Sequence, residues 1–141
     1  MKAYLVPLED VNLWWPSVAE YISKAVIRQN KVDIQDVYLD VVVNGHSLWI
    51  VLDSEMELKG ASVTVVLTYP KAKCLFIEYL GGEDGAEWKE VMLSMLKEWA
   101  VANNCRTIEF EGRPGWGRVL KQDGIKVKYE VFEIPVSYEK D

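Results

Sequence analysis

The sequence has little of what staples a chain or chelates a metal. Among 141 residues there are two cysteines, Cys74 and Cys105, and one histidine, His46. Two thiols are too few for a disulfide framework or a zinc site, so no metal is expected and a reducing interior is the default surrounding. The five prolines and nine glycines gather in no linker, and no repeat or low-complexity tract divides the chain. No apolar run approaches the ~18 residues of a membrane helix. The opening Met1–Pro7 lacks the apolar stretch and small-residue cleavage site of a secretory signal. Positive charge is also short, with 16 Lys and Arg against 22 Asp and Glu, a net of −6 and a pI near 4.9. That excludes a generic nucleic-acid binder, whose usual footprint is a basic face.

What is present is enough for a core. Half of the residues are apolar and 27% are charged, an ordinary globular balance. The length fits one domain over residues 1–141, which on folding hides roughly 68% of its unfolded surface. Charge is unevenly spread. Residues 1–57 carry nine acids against four bases, while residues 104–128 carry six bases against three acids. This is either a mixed solvated surface or an anion site in the C-terminal third.

Lys2–Leu8 reads as a short strand. Asp10 caps a helix to about Gln29, with Trp14, Val18, Tyr21, Ile22, Ala25 and Val26 at helical spacing and Pro16 in its first turns. Asp33 opens a second helix through Val42, and Asn44-Gly45 stops it. Strands follow at Ser47–Leu52, Ala61–Tyr69 and Cys74–Leu80. Residues 86–103 form the clearest helix, with Trp88, Val91, Met92, Met95, Leu96 and Trp99 on one stripe. Then come a strand at Arg106–Glu111, a short helix from Pro114 to Asp123, and an alternating final strand at Lys126–Val136, buried on both sides near Phe132 and Ile134. The expected fold is α/β: one mostly antiparallel mixed sheet, one β-α-β crossover from Cys74 to Glu111, and helices on both faces.

Several residues carry candidate chemistry. Glu78 lies in an apolar strand, where a carboxylate acquires the raised pKa of a general base unless it faces solvent or pairs with a lysine. Gly112-Arg113-Pro114-Gly115-Trp116-Gly117-Arg118 follows a strand and opens a helix. There Arg113 and Arg118 fit an anion and Trp116 a ring or a partner pocket, or the arginines pair with Glu109 or Glu111 while Trp116 anchors the helix. His46, alone after Asn44-Gly45, reads as an exposed turn histidine. Asp53, Glu55 and Glu57 read as a solvated acidic loop, and the two cysteines as small buried hydrophobes.

The element order, with Leu48-Trp49-Ile50, Trp88 and Trp99-Ala100 on the long helix, Gly112–Trp116 and Gly124-Ile125, resembles the GNAT superfamily of acyl-CoA-dependent N-acyltransferases over nearly the whole length. The likeness is closest to small GNAT-like proteins of tailed phages and prophages. The resemblance implies that the strand at Cys74–Leu80 splays from its neighbour to hold the pantetheine arm of acetyl-CoA. It also implies that Leu80, Gly82, Gly85 and Ala86 line the cofactor, with Glu78 as base and Tyr129 as a candidate acid. The family's loop motif, Arg/Gln-x-x-Gly-x-Gly/Ala, is met here by Gly81-Gly82-Glu83-Asp84-Gly85-Ala86-Glu87. Gly82 replaces the Arg/Gln, Glu87 takes a small-residue position, and Glu83 and Asp84 bring negative charge to a dianion's place. The usual tyrosine position holds Leu120.

These departures favour a GNAT-fold protein without catalysis, a virion component or host-interaction module with a protein partner. Its place would be the cytoplasm of a bacterial host or the virion. The alternative is an acyl-CoA-dependent N-acyltransferase acting on an unknown amine. The oligomeric state stays open.

Overall fold

Apolar spacing builds the first helix. Val11, Val18, Ile22 and Val26 recur every three to four residues, and they are the buried face of α1 (Val11–Gln29). Ahead of it lie β1 (Lys2–Leu5) and a single 3-10 turn at Leu8–Asp10. β1 stops short of Leu8 because Pro7 has no N–H to continue a ladder. Helix α2 (Ile34–Val42) opens on a reciprocal capping box between Asp33 and Asp36 and is followed by Gly45 at φ 75°. β2 (Ser47–Leu52), β3 (Leu58–Thr68) and β4 (Lys73–Gly82) follow, then α3 (Glu87–Ala102) and β5 (Cys105–Phe110). The computed structural model describes residues 1–111 and 124–136.

The five strands form one sheet in chain order, β1-β2-β3-β4-β5. Neighbours run antiparallel except β4 and β5, which are parallel and joined through α3. The sheet is sandwiched between helices. Leu48, Ile50, Ala61, Val63 and Tyr79 pack with the buried residues of α1 and α2. On the other face Trp49 is fully buried, edge-on to Trp99 of α3 at 6.0 Å between ring centroids. Its indole N–H donates to Thr64 Oγ1 at 2.9 Å, so this buried polar atom is satisfied. The fold class read from the sequence, a mixed α/β sheet with one crossover, is the one observed.

The final strand is a correction. The chain divides into two compact units, Met1–Glu111 and Gly112–Asp141. The described part of the second, residues 124–136, has no regular secondary structure. Phe132 and Ile134 are 83% and 85% exposed, where burial on both sides was expected. Alternation marks a segment that can pair, but a strand exists only through a ladder with a neighbour, and the described residues form no such ladder with this segment. The short helix expected from Pro114 to Asp123 lies outside the described residues.

Candidate functional site

β4 carries one irregularity, and Glu78 is at its centre. Val63 of β3 pairs with Tyr79 and Thr64 pairs with Ile77, so Glu78 is the extra residue of a β-bulge. In a regular strand positions 77 and 79 share a face. The bulge instead sends Tyr79 to the α1 side with Val63 and Ile77 to the Thr64 side. Bulges re-aim side chains, and this one turns a carboxylate toward the start of β2. Gln29 Nε2, at the end of α1, donates to the Glu78 carbonyl at 3.3 Å and holds the bulge.

There Glu78 Oε1 lies 2.5 Å from Nδ1 of His46, with the two side chains 20% and 17% exposed. The expectation of an exposed turn histidine is therefore overturned. His46 is drawn inward because its own N–H donates to the Asp40 carbonyl at 3.0 Å, which folds the Asn44-Gly45 turn back onto α2. Asp40 joins the pair: one ligand atom from each of Asp40, His46 and Glu78 lies within 4.8 Å of the others. Burial pushes the Glu78 carboxyl above its ordinary value and Asp40 adds to the rise, while His46 opposes it. Glu78 thus pairs with the histidine, not with a lysine. A half-buried carboxylate with a raised pKa and a fixed imidazole is chemically equipped to take up a proton.

The ladder between β4 and β5 runs from Lys73 opposite Cys105 to Ile77 opposite Phe110. β4 continues to Gly82, so from Glu78 onward no described strand pairs with it on that side. Glu78 sits where the two parallel strands part.

The far end of β4 is built differently. Gly81 and Gly82 are strand residues opposite Ala61 and Gly60, not loop residues. A Cβ on Gly81 would meet the Tyr21 carbonyl oxygen at 2.2 Å, and one on Gly82 the Lys59 carbonyl oxygen at 2.5 Å. The acid that follows is neutralised. Glu83 Oε2 lies 3.3 Å from Lys59 Nζ, and Tyr21 shares its hydroxyl proton between Glu83 Oε1 and the Leu58 carbonyl. Lys59 also reaches Asp53 Oδ2 at 3.6 Å and Glu57 Oε2 at 3.7 Å, and its ammonium is held above its ordinary value, chiefly by Glu83. Asp53 in turn accepts the N–H groups of Glu55 and Glu57, so the acidic loop is an organised turn rather than a merely solvated one.

Of the residues expected to line a cofactor, Leu80 and Gly82 lie in β4, while Gly85 and Ala86 lead into α3. Gly85 has φ 114°, and a Cβ there would meet nothing within 4 Å. Among the described residues no side chain caps the start of α3. Tyr129, the acid candidate, is 64% exposed in the second unit. Arg113, Trp116 and Arg118 lie outside the described residues. Cys74 is buried as expected and burial pushes its thiol up to about 11. Cys105 is only half-buried.

No protein-family model and no curated protein matches the sequence. Solved structures do. A probable acetyltransferase aligns with 99% of this chain and 100% of its own, at TM-score 0.71 and 13% identity. A ribosomal-protein-alanine N-acetyltransferase from Brucella melitensis biovar Abortus 2308 aligns with 96% of this chain and 100% of its own, at 0.67 and 14%. A transcriptional regulator from Bacillus halodurans C-125 aligns with 96% and 99%, at 0.66 and 14%. The chain shares the N-acetyltransferase fold with these neighbours. Their names also differ enough to show that the fold does not dictate the chemistry.

Proposed function

We propose that the protein is an acyl-CoA-dependent N-acyltransferase with Glu78 as general base. The observation that carries this reading is the place of Glu78, on the bulge of β4 where the β5 ladder stops. In the family that the sequence resembles, the corresponding parting of strands receives the pantetheine arm. Three features of this chain fit that group. Among the described residues, the β4 edge from Glu78 to Gly82 has no strand partner on one side. Among the described residues no side chain caps the start of α3, which leaves backbone donors suited to an anion. Open space lies beside Gly85. Acetyl-CoA would supply an acyl group already activated as a thioester. Glu78 would take the proton from the attacking amine nitrogen as the new C–N bond forms and the thioester C–S bond breaks, with CoA leaving as a thiolate that solvent protonates. His46 is a positioning residue that holds the carboxylate through Nδ1.

The acid Glu83 no longer counts simply against an anionic ligand, because Lys59 and Tyr21 engage it. Asp84, Glu87 and Glu90 still do, and they favour a second reading: the same fold without catalysis, bound to a protein partner in the phage or host setting that the sequence resemblance implies. Thiol release from acetyl-CoA, measured over a panel of primary amines, separates the two. We expect amine-dependent release, reduced about 100- to 10,000-fold in Glu78→Gln, the usual worth of a general base. No release above buffer with any amine would overturn the catalytic reading.

A further inference from the structure

We propose that Asp40, His46 and Glu78 form a binding site for a divalent transition-metal ion of the zinc class. The ligand atoms come from three elements that the sheet and the α2–β2 turn bring together, and all lie within 4.8 Å of one another. A tetrahedral zinc ion with bonds of about 2.0–2.2 Å spaces its ligands roughly 3.3–3.5 Å apart. To reach that spacing the His46–Glu78 pair, now 2.5 Å apart, opens to admit the ion between the three ligand atoms, all within 4.8 Å of one another. The donor set is one imidazole nitrogen and two carboxylates. Imidazole selects zinc and its transition-metal neighbours over magnesium and calcium, which take oxygen shells.

The ligands are also held from behind. Asn44 Nδ2 donates to Asp40 Oδ1 at 2.9 Å, leaving Oδ2 for an ion. The His46 N–H binds the Asp40 carbonyl, and Gln29 holds the Glu78 carbonyl. Outer contacts of this kind orient ligands before the ion arrives. Charge points the same way. Two carboxylates bring a charge of −2 to a half-buried site, and His46 is the only ion-pair partner that Glu78 has among the described residues. A dication balances that charge where a lone imidazolium does so by half. Three protein ligands leave a further coordination position for water or a substrate atom. A bound ion would also occupy the lone pairs that Glu78 needs as a base. That consequence, inhibition by the ion, rests on the function proposed above, whereas the site itself does not.

The test is competition between the full chain, stripped with a chelator, and a chromophoric zinc indicator of micromolar affinity, with zinc chloride alone as the added ligand. We expect one zinc ion per chain, no competition from magnesium at equal concentration, and at least about tenfold weaker binding in both His46→Ala and Asp40→Asn. Circular dichroism checks that each variant is folded. If His46→Ala is not, Asp40→Asn carries the test. Absence of zinc binding, or binding of equal strength in a folded variant, would overturn the site. Zinc that binds at this affinity without inhibiting amine-dependent thiol release would leave the site standing and overturn Glu78 as base.

Discussion

At Gly81 a single added carbon would sit 2.2 Å from a backbone oxygen of α1, and at Gly82 one would sit 2.5 Å from the neighbouring strand. The charge immediately after them, Glu83, is shared among Lys59 and Tyr21 at a surface that is half open to water. A few residues back along the same strand, Glu78 is half-buried on a bulge, with one imidazole and a second carboxylate for company. One end of β4 is packed and neutralised for stability. The other keeps a charge in surroundings that do not favour it. On the proposed reading the Glu78 end carries the proton chemistry, while Gly81 and Gly82 answer to packing.

The contrast can be broken most sharply by removing the charge. Glu78→Gln should lower amine-dependent turnover about 100- to 10,000-fold, roughly 3–5 kcal/mol of barrier, without lowering the Tm. The sign follows from the raised carboxyl. The folded state binds the Glu78 proton more tightly than the unfolded chain does. Ionisation therefore costs stability as pH rises through the ordinary carboxylate value of 4.5 toward the raised one, and the neutral amide escapes that cost. The same shift sets the rate profile. Turnover should rise with pH through a midpoint above 4.5, with His46 and Asp40 the charged groups that tune it, and a flat profile in that range would remove Glu78 from the proton path.

At the glycine end the outcomes should reverse. Gly81→Ala should lower unfolding stability in urea by about 3 kcal/mol, because the obstruction is backbone and cannot rotate away. Whatever enzyme still folds should turn over at the native rate per folded molecule. Lys59→Met is a gentler probe of the same end. Lys59 is 19% exposed and its partners reach 64%, so solvent screening should keep its loss small, and high salt should shrink the difference further. The smallest effect is a labelling order. With its thiol pushed up to about 11 by burial, Cys74 should stay unmodified by a thiol reagent at pH 8 in the native protein and react at once in denaturant, while Cys105 reacts first.

Local pattern made most of this fold legible. The stripes on α1 and α3 and the β-branched run Val63-Thr64-Val65-Val66 placed helices and strands within a few residues, because each pattern reports one buried face. The stripe on α3 was nearly right: Leu93 and Ala100 are buried where Met95 and Trp99 are half-buried, a small rotation of the packed face. Lys126–Val136 shows the limit of pattern, since alternation supplies faces but no partner. The site was half legible. Glu78 stood out as an acid in an apolar strand. His46 did not, because its approach to Glu78 is set by register across three strands: Ser47 is opposite Thr64, and Thr64 is opposite Ile77, one step from each of them. The bulge that turns Glu78 toward it leaves no mark in composition. Asp40 offered one faint signal, an acid six positions before the only histidine, across an Asn-Gly turn that doubles the chain back. The three glycines drew attention as a phosphate loop, yet two of them answer to packing.

The most direct test is a calorimetric titration of the full chain with acetyl-CoA, with desulfo-CoA and buffer as controls. The account predicts a dissociation constant at or below about 100 µM, roughly −5.5 kcal/mol, retained in Glu78→Gln even as turnover is lost. No heat up to millimolar acetyl-CoA would contradict it, and the open edge of β4 would then have to be explained by a partner of another kind.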